Sequence, residues 1–476
     1  MRSFHLPPAH RGTTVELRAL FPFVVPESLG TLGCYIGREA SGGLFCFDPW
    51  DCYSAGKLTS PNMIVFGQIG RGKSAFVKSF IWRQICFGRE CWVLDPKGEY
   101  SGLARACGAV PLRLGPGLGL RLNPLDIGRP VQARQAAPAG ATTPAGATAP
   151  AGATMQGGAA GAAGAAGAAM QGGAAGQEPP EGRENLAGGG DVPARQRRAE
   201  LLGTLLSTSL GRPLLPQERA AADVALSQVE RTVEVPTLPA VAEALLHPEA
   251  SEARELGTDL EGLRQDGRQV ALELRRLVHG DLAGMFDGET STGTGPGAGA
   301  GGASLVVLDL SRLYSSPALG LLMVCALSWL QSTLVAGPAA KRIVVLDEAW
   351  AVLSHLPTAR WLQAAFKLSR AFGVANVAVV HRLSDLRAAG YEGSEQQKLA
   401  EGLLADAETR VMFAQAPGEA EKAGELLGLS RTEQSVLSQL PRGVALWHVG
   451  QAAYLVEHEL GPEELALADT DSAMRP

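Results

Sequence analysis

Eight consecutive residues, Gly67-Gln-Ile-Gly-Arg-Gly-Lys-Ser74, match the spacing GxxxxGK[ST] of a loop that cradles phosphate. Glycines at 67, 70 and 72 let the backbone wrap tightly and turn its N–H groups toward phosphate oxygens. A helix opening at Lys73 adds the positive end of its dipole. Lys73 is expected at the β- and γ-phosphates and Ser74 on Mg²⁺. The nucleotide-binding set is therefore Gly67, Gln68, Ile69, Gly70, Arg71, Gly72, Lys73, Ser74 and Ala75, with ATP as ligand. The apolar run Met63-Ile-Val-Phe66 just before the loop supplies the strand that such a motif requires.

A second run, Ile343-Val-Val-Leu-Asp-Glu348, delivers two carboxylates at the end of a strand. Ligands of open α/β sheets bind at that edge. Asp347 is expected to hold Mg²⁺, and Glu348 to orient and polarise the attacking water. Three other features are open to two readings each. Asp95-Pro-Lys-Gly-Glu-Tyr100 either brings Asp95 and Glu99 near the nucleotide or is an ordinary Pro-Gly turn after a strand. His381 either senses the γ-phosphate from its strand end or is a solvated histidine. Arg370 and Arg410 are either candidates for an arginine finger acting across a subunit boundary or plain surface charges.

These groups need a scaffold, and the text around them alternates strand-like and helix-like runs. Strands are expected at Met63–Phe66, Cys91–Leu94, Val110–Leu114, Leu305–Asp309, Ile343–Leu346 and Val374–Val380, with terminal ones at Thr409–Phe413, Val444–His448 and Ala453–Val456. Helices are expected at Lys73–Phe87, Ala318–Val335 and Trp361–Phe372. The alternation implies an α/β fold with a mainly parallel sheet covered on both faces. Between its halves lies Gln135 to Val192, rich in Ala, Gly, Pro and Thr, which cannot bury enough apolar surface to offset its ordering entropy and should be a disordered loop. Ala199–Leu210 and Leu256–Val278 have helical spacing and indicate an all-α insertion. The expected division is an N-terminal extension (1–31), the first core part (32–130), a low-complexity linker (131–193), the helical insertion (194–289), a flexible linker (290–303), the second core part (304–460) and a tail (461–476). Deleting Gln135 to Val192 should leave hydrolysis intact, because loop length costs little; a variant that no longer folds would refute this.

The bulk numbers narrow the class. A net charge of −6 over 476 residues is not that of a protein coating nucleic acid with its whole surface. A local basic channel, or one formed in an oligomer, stays compatible with it. Seven scattered cysteines without CxxC spacing argue against a disulfide framework and a zinc site. The longest apolar run, Ala318 to Leu330, is shorter than the roughly 20 residues of a membrane span and lies between two strands, so a buried helix explains it. With no signal peptide evident, the chain is expected to be cytoplasmic, with a peripheral position at the inner face of the membrane compatible.

Taken together, GQIGRGKS, DPKGEY, VVLDEAW and SRAFGVANVAVVHRLSDL resemble the HerA–FtsK superfamily of P-loop ATPases, and within it the VirB-type motor ATPases of conjugative type IV secretion. The resemblance spans Leu32 to Leu125 and Ser304 to Glu457. It implies a RecA-like core, a homo-hexamer with ATP between neighbours, and membrane-embedded transfer-channel proteins as partners, with DNA as a further one. Carried over by position, Lys73 and Ser74 hold phosphate and Mg²⁺, Asp347 holds Mg²⁺, Glu348 is catalytic and Arg370 is the first choice for the finger. Three departures stand out. His381 occupies a position where the family usually has Gln, only about thirty residues precede the core text where a long N-terminal domain is typical, and the Gly/Ala-rich stretch is not a family feature. The short N-terminal part suggests docking through a separate protein. A cytoplasmic DNA translocase of the same superfamily and a nucleotide-dependent scaffold with little turnover are the alternative functions.

Overall fold

The computed structural model describes residues 29–126, 194–291, 304–335, 341–370, 373–381 and 395–468. The expected disorder of 135–192, most of the N-terminal extension, nearly all of the 290–303 linker and the last residues of the tail lie outside them, and the helix expected to run to Phe372 ends at Lys367.

Eleven strands form one sheet in the order β2-β1-β11-β10-β9-β3-β8-β7-β4-β6-β5. They are β1 (Cys34–Glu39), β2 (Leu44–Phe47), β3 (Met63–Phe66), β4 (Glu90–Asp95), β5 (Leu112–Arg113), β6 (Leu305–Asp309), β7 (Arg342–Leu346), β8 (Val374–Val380), β9 (Thr409–Phe413), β10 (Val444–Val449) and β11 (Ala452–His458). From β9 through β5 every neighbouring pair is parallel. Beyond β9 the pairs β9–β10, β10–β11, β11–β1 and β1–β2 are antiparallel. The strands β3, β7 and β8 are buried along their whole length. That is why they read as unbroken apolar runs rather than as alternating ones. The expected strand at 110–114 shrinks to two residues at the sheet edge.

Alternation along each strand sends side chains to two cores. On one face Met63, Val65, Ile343, Val345, Val377 and Val379 meet Phe76, Val77, Phe80 and Ile81 of the helix Lys73–Cys86. On the other, Ile64, Phe66, Val344, Leu346, Ala378 and Val380 share a core with the helix Leu319–Val335. The apolar run of that helix is buried from Leu321 to Leu330, between the sheet and further helices, as expected of a helix without a polar face.

Helices Ala194–Leu210, Pro216–Thr232, Leu238–Leu246, Ala250–Glu255 and Leu260–His279 fill the stretch between the two sheet halves. The last begins at the N-cap Asp259, whose carboxylate accepts from the Gly262 N–H at 2.6 Å, rather than at the expected Leu256. Their leucines join the same core as the sheet's second face. Polar ties pin them to the strap Leu122–Leu125: the Leu122 N–H donates to the Met285 carbonyl at 2.7 Å, Asn123 Nδ2 to the Pro236 carbonyl at 2.9 Å, and Arg198 Nε to the Leu125 carbonyl at 2.8 Å.

The antiparallel end of the sheet braces the helix Lys73–Cys86 through His458. Its ring stacks on Phe76 with centroids 4.6 Å apart, and Nε2 accepts from the Trp447 indole N–H at 2.9 Å. Accepting there requires the neutral ring. Burial, with the Arg83 guanidinium adding to it, pushes its pKa down from 6.5 to about 3. A base with a depressed folded pKa gives full stability above its unfolded value and loses it as pH falls below 6.5. This residue alone should cost about 2 kcal/mol between pH 7.5 and pH 5. Urea midpoints at the two pH values should show a smaller acid loss in His458→Gln than in the wild type; equal losses would refute the assignment.

Candidate active site

The loop after β3 has the backbone that its glycines predict. Gly67, Gly70 and Gly72 have φ of 152°, 77° and 109°. At Gly67 the need is steric as well, since a Cβ there would lie 2.5 Å from Phe413 Cβ on the neighbouring strand β9. The loop is fastened on both sides: the Gln68 N–H donates to the Ala414 carbonyl at 3.0 Å, and the Arg71 carbonyl accepts from the Gly443 N–H at 3.1 Å. Gly72 caps the helix Lys73–Cys86 in the left-handed region, so the first-turn N–H groups at Lys73, Ser74 and Ala75 open onto the loop. Lys73 is 4% exposed, and its ammonium donates to the carbonyls of Gly67 and, at 2.9 Å, of Gln68.

The β7 end delivers the second group to the same edge. In the sheet β8 separates β3 from β7, so the loop after β3, His381 after β8 and Asp347–Glu348 after β7 all leave the carboxyl ends of adjacent parallel strands. Glu348 has φ 54°, the one non-glycine residue with positive φ among those described. Such a backbone is strained and persists only where the surroundings over-determine it. Here the Ala349 N–H is held by the Val379 carbonyl at 3.0 Å, and the Glu348 N–H by Asp347 Oδ1 at 3.0 Å.

Opposite electrostatics divide the two carboxylates. Burial, reinforced by the charges of Glu348 and Asp95, pushes Asp347 up to about 7. Burial also raises Glu348, but hydrogen bonds from His381, Lys97 and Trp350 outweigh it and bring it down to about 2. Glu348 Oε1 lies 2.7 Å from His381 Nε2 and is ion-paired with Lys97, while Oε2 accepts from the Trp350 indole N–H. A cleft of about 460 Å³ is lined by Gln68, Ile69, Gly70, Arg71, His381 and Arg442. His381 is thus the link between the phosphate-type loop and Glu348.

For Asp95 the turn reading of the hexapeptide after β4 holds. Asp95 faces its own turn: it accepts from the N–H groups of Gly98 at 2.8 Å, Glu99 at 3.1 Å and Tyr100 at 2.9 Å. Lys97 is the member that reaches Glu348, and Arg442, before β10, reaches the cleft. Sequence reasoning passed over both. For Lys97 the missing signal is strand order: β4 pairs with β7, so the turn after β4 borders Glu348. Arg442 had no local signal.

The two candidate fingers are not brought to this cleft. Arg370 precedes β8 and donates to the Thr59 carbonyl at 3.3 Å, which puts it at the amino end of the parallel strands, opposite His381. It is exposed. Arg410, the second residue of β9, donates to the Leu404 carbonyl at 3.3 Å, and burial lowers its pKa.

The edge fits a magnesium nucleotide. A buried carboxylate, an ammonium held by loop carbonyls, and the N–H groups at a helix start are complementary to cation and phosphate. No cluster of three or more His, Cys, Asp or Glu side chains that could hold a metal occurs among the described residues. Mg²⁺ takes one or two protein ligands and completes its shell with phosphate and water.

No family model and no curated protein sequence matches the chain. Solved structures do. VirB4 of Thermoanaerobacter pseudethanolicus aligns over 91% of this chain and 98% of that one, at 20% identity and a TM-score of 0.64. The bacterial conjugative coupling protein TrwBdeltaN70 aligns over 84% and 85%, at 13% identity and a TM-score of 0.50. The plasmid coupling protein TrwB with the non-hydrolysable ATP analogue ADPNP aligns over the same shares, at 14% identity and a TM-score of 0.50. The chain has a RecA-like P-loop fold, and shares it with VirB4 over nearly the full length of both.

Proposed function

We propose that this chain is an ATP-hydrolysing motor that energises a conjugative, type IV secretion-like apparatus for DNA or protein transfer. What supports the hydrolytic part is that Gln68–Arg71 of the phosphate-type loop and His381 line one cleft, and that His381 Nε2 lies 2.7 Å from Glu348 Oε1. The fold likeness to VirB4 and to the TrwB coupling protein supports the transfer role.

Lys73 and the N–H groups of the loop bind and orient the triphosphate. Ser74 and Asp347 would hold Mg²⁺, which supplies charge neutralisation at the β- and γ-phosphate oxygens. Glu348 accepts a hydrogen bond from the attacking water and aligns it; His381, hydrogen-bonded to Glu348, stands where it can report the γ-phosphate. Arg442 adds positive charge at the cleft mouth. Arg370, exposed on the opposite edge, suits a finger only toward a nucleotide held by a neighbouring copy, and a homo-hexamer supplies that neighbour; Arg410 is the second choice.

Among the described residues no helix is long and apolar enough to cross a membrane. In this reading the motor works at the cytoplasmic side of the inner membrane, recruited by channel proteins that span it. The test is phosphate release by the purified, assembled protein with Mg²⁺ and ATP, with and without duplex DNA. Magnesium-dependent turnover is expected. Absence of turnover in an oligomeric sample with DNA would overturn the proposal, and strong DNA stimulation with directional movement along duplex would transfer it to a DNA translocase.

A further inference from the structure

We propose that Lys97 is a positioning residue for Glu348, holding the carboxylate in the orientation from which it aligns water. This deepens the ATPase reading of the cleft and rests on it.

The turn that carries Lys97 is closely specified. Asp95 ties down three successive N–H groups, and Gly98 has φ 75° with Ser311 Cβ only 3.1 Å from where a Cβ would stand. The ammonium at its apex ion-pairs with Glu348 Oε1, lies 3.2 Å from His381 Nε2 and sits 5.8 Å from the centroid of the Tyr314 ring. Its position is therefore set by the ion pair with Glu348 and by the Tyr314 ring, with His381 Nε2 sharing Oε1 beside it.

Glu348 needs such a partner. It is 2% exposed, stands beside a second buried carboxylate and has a strained backbone. An ionised carboxylate offers about four lone-pair sites. Lys97 and His381 occupy Oε1 and Trp350 takes one site on Oε2, which leaves one site on Oε2 for water. Of the three donors, Lys97 is the one with a permanent full charge. Its removal leaves a buried anion beside Asp347 without its counter-charge, free to turn away from the water site.

Steady-state and single-turnover hydrolysis by Lys97→Met, Lys97→Arg, Glu348→Gln and the double variant Lys97→Met/Glu348→Gln tests this, with titration of a fluorescent ATP analogue alongside. Lys97→Met should lower kcat by roughly 10- to 100-fold, a part of the general-base contribution, with KM and analogue affinity within about twofold of wild type. Lys97→Arg should restore most of the rate. In the Glu348→Gln background the methionine should cost less than about twofold, because the residue it serves is gone. An equal loss in that background would mean that Lys97 acts on phosphate directly, and a higher kcat in Lys97→Met would make it a brake; either overturns the proposal. So does failure of Lys97→Arg to restore turnover while its thermal midpoint stays at the wild-type value. A wild type without turnover sinks the ATPase reading and this role with it, whereas a hydrolysing wild type whose kcat is indifferent to Lys97→Met sinks this role alone.

Discussion

Lys73→Ala is expected to lower ATP hydrolysis by more than about a thousandfold, a loss of about 4 kcal/mol of transition-state stabilisation. Charge on the transferring phosphoryl group is stabilised chiefly by fixed cations and N–H donors. Lys73 is the one cation of the GxxxxGK[ST] loop that is buried, and the loop carbonyls of Gly67 and Gln68 already aim its ammonium across the concave side. The loop should survive the change. Its shape comes from the positive φ of Gly67, Gly70 and Gly72 and from ties to Ala414 and Gly443, none of which involves the lysine side chain. Alanine also favours the helix that starts there. Two carbonyls lose a donor, which costs on the order of 1–3 kcal/mol of stability. Phosphate release and a thermal melt separate the effects: turnover should vanish while the cooperative transition persists. Undiminished turnover in a folded variant would remove the site assignment.

The parts of this machinery that were legible in the sequence are those written locally. The strand–loop–helix unit at 63–86 and the β7 strand ending in Asp347–Glu348 carry their own apolar runs and glycines. A short apolar run bounded by turn residues reads as a strand buried on both faces. Elements written non-locally were missed. In β1 the Tyr35/Gly37 bulge breaks the period of two, and Gly37 packs against the backbone of Glu457, so Cys34–Glu39 looks like loop until its partner strand is known. The helix expected at Trp361 begins at Leu356 instead, because Pro357, which suggests a break, occupies the first turn where its missing N–H costs nothing. Side-chain reach across strands was least visible. Asp95 and Glu99 drew attention as carboxylates, yet the geometry gives Asp95 to its own turn and gives Lys97 to Glu348. That outcome depends on β4 lying next to β7, which no local pattern states.

Glu348→Gln should separate binding from chemistry. Hydrolysis is expected to fall by about 10²- to 10⁴-fold, the usual contribution of a positioned base, while affinity for an ATP analogue stays unchanged or rises. The affinity argument is electrostatic. Glu348 and Asp347 are adjacent and buried, Glu348 is kept ionised by its hydrogen-bond donors, and its charge is among the causes that raise the Asp347 pKa to about 7. Neutralising one carboxylate relieves that repulsion and lowers the negative potential facing an incoming triphosphate. Loss of the ion pair with Lys97 acts the other way on folding, so the net change in stability should be small. Glutamine keeps the length of the side chain and one acceptor oxygen for Lys97 and His381, but its amide NH₂ meets the Trp350 indole donor, or the water, with a donor where an acceptor is needed. The attacking water then has no anion to align it, although the phosphate grip is intact. Phosphate release measured beside a fluorescent-analogue titration shows the split directly. Were wild type and variant equally slow, Glu348 would have no water to act on, and the chain would be a nucleotide-dependent scaffold rather than a motor.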